Sequence, residues 1–290
     1  MTDAGYDIDE ELVRGLLTDQ HPDLSDLLVG ERFEGMDTVV FRLGEQFAVR
    51  LPRWPRSIVR VEAELRWLPE LSRSWTFPAQ VPVREGKPGR GYPATWAVVR
   101  WLDGVIAFEE PLGAEAAKPL GAAISEIHRP HPPDAPFNDE QSMTIEERDP
   151  TFRSCLDAAR ESLVGFDFDE ERSVQLWERG LASAAGVATT WIHADLHPFN
   201  VISDRGRFGG IIDWSDMARG DPASDISRLW LLLDGGDVRA ALEAYGEMAQ
   251  ETIHRSQAIG IFMCLGWAVS DSPRIAKWGI DRLRGLDLVR

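Results

Sequence analysis

The chain has 290 residues, too many for one ordinary compact core and suited to two lobes. With 43 % hydrophobic and 27 % charged residues it is globular rather than disordered. Its two cysteines, Cys155 and Cys264, exclude a disulfide scaffold and point to a reduced, cytoplasmic setting. Thirty-one Lys and Arg against 48 Asp and Glu leave a net charge of −17, which argues against nucleic acid, whose phosphates demand a basic surface.

The charge is unevenly spread. Residues 1–102 carry 13 basic and 16 acidic side chains, and residues 103–290 carry 18 and 32. An acidic second half either attracts a cationic small molecule or keeps the protein in solution. The N-terminus, MTDAGYDIDEELVRG, has no basic flank and no apolar run, so it does not read as a secretory signal. The longest uncharged apolar stretch, AIGIFMCLGWAV at 258–269, falls short of the roughly 20 residues a bilayer needs. It reads as a buried helix, and no membrane partner is expected.

In chain order, Ile8, Leu12, Val13, Leu16 and Leu17 predict an amphipathic helix over 8–20. The period then changes to two: TVVFRL, a turn at Gly44-Glu45-Gln46, and FAVRL predict a hairpin that Pro52 and Pro55 end. Ile58, Val61, Leu65 and Leu68 predict a helix over 56–72, and VPVRE and ATWAVVRWL are further strands. Helices are expected at 113–128, near 150–164 and at 170–185, with the Pro-rich 130–136 breaking the first. TTWIH, NVISD and RFGGIID read as short strands, and the chain is helical after Pro222. Strands give way to helices near Leu102-Asp103-Gly104. This predicts an N-terminal lobe over 1–102, a C-terminal lobe over 103–290, and a cleft between them.

The chemistry concentrates in WIHADLHPFN, residues 191–200, where Asp195 and Asn200 form D-x-x-x-x-N between two apolar strands. Asp213 follows at the end of RFGGIID. Phosphoryl transfer needs such a set: one carboxylate takes the proton of an attacking hydroxyl, and an Asn oxygen and a second carboxylate hold Mg²⁺. The first lobe should supply a phosphate clamp. The turn at Gly35 leading to Thr38 can offer backbone N–H groups, and Arg50 stands on the next strand. On the following helix Glu62 shares a face with Ile58, Val61 and Leu65, so it is expected inside, paired with Arg50, while Glu64 points away. His193-Ala-Asp195-Leu-His197 also suggests zinc, held by two His and a carboxylate, with His128 or His131 able to add a third nitrogen, but nothing else in the chain supports a hydrolase.

EGMDTVVFRLG, FAVRLPR, VRVEAELRWLPEL, HADLHPFN and IIDWSDMARGDPASDI together resemble the aminoglycoside/macrolide phosphotransferase family. The resemblance implies an α+β, bilobal protein-kinase-like fold with a small β-rich N-terminal lobe and a larger, mainly helical C-terminal lobe. It implies Mg-dependent transfer of the γ-phosphoryl group of ATP or GTP to a hydroxyl of a cationic small molecule, an aminoglycoside or macrolide. A sugar or metabolite kinase, or a nucleotide-binding pseudokinase, are the alternatives. By the same resemblance Asp195 is the catalytic base, and Asn200 and Asp213 are the magnesium ligands. Glu62 positions the phosphate-binding cation, and Val98–Leu102, with Val99 and Trp101, form the hinge that bonds the purine. Asp225 and His193 brace the catalytic loop. His197 lies near substrate or fills a polar gap, and Asp216 faces the acceptor. Three departures stand out: Arg50 where Lys is usual, no full G-x-G-x-x-G, and Asp213-Trp214-Ser215 in place of D-F-G.

Overall fold

The computed structural model describes residues 5–290, so the first four residues of the acidic N-terminal stretch lie outside the described residues. The chain divides into two compact units. One runs up to Asp103 and includes Gly210–Ser215; the other comprises Gly104–Gly209 and Asp216–Arg290.

In the first unit, α1 (Glu10–Gln20) begins where the Asp9 carboxylate accepts from the Leu12 N–H (2.8 Å), with Glu10 and Glu11 at the positive end of the helix dipole. An antiparallel sheet follows, built from β1 (Val29–Glu34), β2 (Thr38–Leu43), β3 (Phe47–Pro52), β4 (Pro82–Gly86) and β5 (Trp96–Arg100). Its order is β1-β2-β3-β5-β4. β1 is not among the expected strands. Only Val29 of its six residues is buried, so an edge strand held by backbone bonds to β2 carries no apolar alternation to read.

Period-two alternation sorts the sheet's side chains. Val39, Phe41, Leu43, Val49, Leu51, Trp96 and Val98 pack with α1 into the main core of this unit. Ala48, Ala97 and Val99 form a separate apolar patch with Val40, Leu65 and Trp101. Thr38 and Arg50 belong to the same alternate positions as this second set. α2 (Pro55–Leu71) starts with Pro at N1 and buries Ser57, Val61, Glu64 and Leu68.

The second unit is mainly helical. Its elements are β6 (Val105–Ile106), α3 (Ala117–Ile127), α4 (Ile145–Ser162), α5 (Glu170–Leu181), β7 (Thr190–Ile192), β8 (Val201–Asp204) and β9 (Arg207–Ile211), which ends in the first unit. β10 (Ala218–Gly220), α6 (Ala223–Ile226), α7 (Leu229–Leu232), α8 (Gly235–Tyr245), α9 (Gln250–Ala268) and α10 (Pro273–Gly285) complete it. α4 begins a turn earlier than Pro150 suggests. Thr144 and Glu147 form a capping box, each side chain bonding the other's backbone N–H, and this outweighs the proline. α3 packs closely on α8 because residue 121 is glycine: a Cβ there would lie 2.0 Å from the Ala241 carbonyl oxygen.

The apolar run at 258–269 falls largely within α9. Its Ile259, Ile261, Cys264 and Leu265 join Phe152, Trp177 and Leu283 in the core. Trp177 stacks on Phe152 (centroids 4.1 Å apart) and donates to Asp149 Oδ1 (2.6 Å), so the indole is both buried and satisfied. No helix among the described residues is long and apolar enough to cross a membrane.

Candidate active site

In the second unit the loop after β7 carries Asp195. β7 pairs antiparallel with β10, Ile192 opposite Ala218, and this fixes where the loop leaves the sheet. Asp225, fully buried in the first turn of α6, accepts the backbone N–H groups of His193 (2.7 Å) and Ala194 (2.9 Å). His193 Nδ1 accepts the Asp195 N–H (3.2 Å). Asn200 Nδ2 donates to the Asp195 carbonyl (2.9 Å) and to its carboxylate (3.2 Å), an orientation that turns the amide oxygen away from Asp195. His197 Nδ1 accepts the Phe199 N–H, and its Nε2 meets Asp195 Oδ2 at 3.2 Å. The structure thus brings together Asp195, Asn200, His193, His197 and Asp225. Asp216 Oδ1 accepts from Asn138 Nδ2 (2.7 Å).

Burial raises the Asp195 carboxyl. The hydrogen bond and charge of His197, then Arg228 and His193, outweigh that and hold it well below the usual carboxylate range. Its side chain remains 23 % exposed. An ionised carboxylate at the end of a fixed loop can accept a hydroxyl proton.

His128, a candidate zinc ligand by sequence, is engaged in the structure by Tyr245 and Asp225. Its ring is buried between the Tyr245 hydroxyl (2.9 Å) and Asp225 Oδ2 (3.2 Å). Burial pushes the Asp225 carboxyl up, but the hydrogen bond and charge of His128, then His193, carry it below its ordinary value. A folded pKa below the unfolded value of about 3.9 stabilises the fold above that pH, and the stabilisation is lost as pH falls through the folded value. Asp225→Asn should therefore be less stable than wild type at neutral pH, with the gap narrowing below about pH 4. Melting curves from pH 7 to pH 3 check this; a constant gap contradicts it.

In the first unit the Arg50 guanidinium, fully buried, bridges two carboxylates: Nη1 to Glu64 Oε2 and Nη2 to Asp213 Oδ1. Its Nε reaches Thr38 Oγ1 at 3.4 Å. Burial opposes the charge, and Asp213 and Glu64 more than restore it, so the Arg50 pKa is raised. A planar fork can meet two carboxylates at once where a Lys ammonium offers a single point charge. Burial also pushes the Glu64 carboxyl up to about 7, with Arg50 opposing and Asp213 adding.

The expected Arg50–Glu62 pair does not form. Glu62 is exposed and accepts from Thr95 Oγ1 (3.2 Å), while Glu64, expected to point away, is the buried partner. The stripe α2 buries is Ser57-Val61-Glu64-Leu68, rotated from the one read off Ile58 and Leu65. Two backbone N–H groups of the expected nucleotide site are engaged within the unit. The Gly35 N–H is spent on the Thr38 carbonyl (2.9 Å), and Arg53 binds the Gly35 carbonyl (2.6 Å). The Trp101 N–H donates to the Gln46 carbonyl (2.9 Å), because the β3–β5 ladder runs on past Arg100. Val99 contributes a buried side chain to the apolar patch with Ala48 and Val40.

Asp213 has φ +58, and its Oδ1 also accepts from Ser215 Oγ (2.7 Å). Ser215 thereby binds the very carboxylate it follows, at the position of the missing glycine. Trp214 is buried and stacks on Trp75 (4.6 Å). Asp213 in the first unit and Asn200 in the second each carry a hard oxygen donor of the kind Mg²⁺ takes. Among the described residues no group of three His, Cys, Asp or Glu could hold a metal, and both loop histidines are engaged in bracing Asp195 or its neighbours.

Comparison with curated proteins gives no match. Among solved structures the fold is similar to the GDP complex of wild-type aminoglycoside 2'-phosphotransferase-IIIa, at 18 % identity over 96 % of this chain and 98 % of that one, TM-score 0.63. It is also similar to macrolide 2'-phosphotransferase MphH from Brachybacterium faecium, at 18 % identity over 93 % and 96 %, TM-score 0.57. A third is the streptomycin-ATP-APH(2")-IIa ternary complex, at 17 % identity over 96 % and 97 %, TM-score 0.56. The fold is thus the kinase-like fold of the antibiotic phosphotransferases. The family model of the phosphotransferase enzyme family (APH) matches residues 31–259, and the chain belongs to that family.

Proposed function

We propose that the protein transfers the γ-phosphoryl group of ATP or GTP to a hydroxyl of a cationic small molecule, with Asp195 as the catalytic base. The observation that supports this most is the Asp195 loop itself. A partly exposed carboxylate, kept ionised and held by Asn200, His193 and His197, stands in a chain of this family. So acidic a group acts by aiming the hydroxyl and taking its proton late, which suits a loose transition state with little nucleophilic push.

Arg50, positioned by Glu64, offers its charge to phosphate. The Val40, Ala48 and Val99 patch suits a purine face. Asn200 and Asp213 are the proposed Mg²⁺ ligands, and the ion when bound supplies neutralisation of the polyphosphate.

The acidic composition of residues 103–290 favours a cationic acceptor. Aromatic rings beside the loop favour one that also has an apolar face: Phe199 lies 5.6 Å from His197, and Trp267 lies 6.4 Å from it. A macrolide combines both properties; an aminoglycoside is the second choice, and relatives in fold include phosphotransferases for each. The test is a phosphate-transfer and thermal-shift screen with ATP and GTP, with and without Mg²⁺, against macrolides, aminoglycosides and sugars. Transfer to one class, and stabilisation by it, is expected. Nucleotide binding with no transfer to any acceptor would instead make the protein a pseudokinase.

A further inference from the structure

Arg228 lies in the turn between α6 and α7, and its side chain is buried in the second unit. Nη2 donates to the Ala194 carbonyl (3.4 Å), and Nε and Nη1 find no partner among the described residues. A guanidinium taken out of water with donors unmet is costly, so its charge must be doing something that a hydrophobic residue of the same size would not. The carboxylates that act on it are Asp195 and Asp225, and Arg148 is a like charge nearby.

Ala194 has φ +73, a left-handed conformation that its Cβ disfavours, and it immediately precedes Asp195. Both of its own backbone polar groups are engaged. Asp225 accepts the His193 and Ala194 N–H groups, and Arg228 donates to the Ala194 carbonyl. Asp225 and Arg228 are themselves tied in one turn, with the Arg228 N–H donating to the Asp225 carbonyl (3.0 Å). An acid grips the amides and a base grips the carbonyl of a single strained residue.

We propose that Arg228 is a positioning residue for phosphoryl transfer, forming with Asp225 a buried clamp that holds Ala194 left-handed and so aims Asp195. Arg228 does not touch substrate. The inference rests on the reading of Asp195 as the catalytic carboxylate. It goes beyond that reading in assigning the loop's geometry to a charge on α6–α7.

The test has two arms. In native-state hydrogen exchange, Arg228→Met should speed exchange of the peptide spanning residues 191–200 by about tenfold or more, with other second-unit peptides changed by less than about threefold. Unchanged exchange in this peptide overturns the clamp. This arm needs no acceptor, so a wild type that phosphorylates nothing in the screen counts against the proposed function alone. In steady-state transfer, Arg228→Met should lower kcat by about tenfold or more with the nucleotide KM within about twofold. Adding Ala194→Gly, which removes the cost of positive φ, should recover at least about threefold of that loss. No recovery overturns the proposal. If Arg228→Met does not fold, Arg228→Lys with and without Ala194→Gly carries the same comparisons, under the same criteria.

Discussion

Asp195→Ala is expected to lower phosphoryl transfer by about 10³-fold, the middle of the range for losing a positioned proton acceptor. Nucleotide affinity should change less than about twofold, since the residue is assigned to the hydroxyl and not to the donor. The chain should still fold, with some loss of stability at neutral pH because the ionised carboxylate is favoured in the fold and faces buried Arg228. The loop keeps its brace from Asp225 to the His193 and Ala194 amides, and His197 still accepts the Phe199 N–H. Asp195→Asn separates orientation from proton transfer, because the amide retains shape and one acceptor but not charge. Steady-state transfer and nucleotide titration on both variants check the assignment. Turnover within about tenfold of wild type in Asp195→Ala would overturn it.

The second large effect separates two glutamates two residues apart. Glu64→Ala removes one of the two carboxylates that satisfy the buried Arg50 and should cost about 3–5 kcal/mol, the usual penalty for breaking a buried pair from one side. Glu62→Ala removes an exposed side chain whose bond to Thr95 is weak and should stay within about 0.5 kcal/mol. In thermal melts the first should lower Tm by roughly 10 °C and the second by roughly 1 °C. Nucleotide affinity should follow the same order, since Arg50 loses the partner that fixes it. Equal effects from the two substitutions would remove the Arg50–Glu64 pairing from the account.

Those two residues show where sequence reading reaches its limit. At 100° per residue, the stripe Ile58, Val61, Leu65 and Leu68 leaves Glu62 and Glu64 about equally far from its centre, roughly 80° to either side. Periodicity therefore could not choose between them. The choice was made when Val61 and Leu68 turned toward the sheet together with Ser57, burying Glu64 against Arg50. β1 was illegible for a related reason: its stability lies in backbone pairing to β2, and four of its six side chains are exposed. α4 was half legible: a helix was expected near 150–164, and the capping box at Thr144 and Glu147, which is written in the sequence, starts it at Ile145. Arg228 carried no signal at all. An arginine in SDISRLW looks like a surface residue until α6 and α7 fold it under the loop that carries Asp195.

What the sequence determined by itself was chemistry in order along the chain. Alternation placed Arg50 on a strand next to TVVFRL, and the hydrophobic flanks of HADLHPFN put Asp195 and Asn200 in a loop between strands. Those are local matters, governed by period and by short-range turn chemistry, whereas the fold and the family were expected from the resemblance that the motifs carry. The tertiary structure alone decided which charge meets which. Arg50 between Glu64 and Asp213, His128 on Asp225, and Arg228 on Ala194 are contacts between residues 14 to 163 positions apart. A buried charge has no periodicity of its own. Its place follows from the few partners that can satisfy it once the core has closed, and only the packed chain brings those partners within reach.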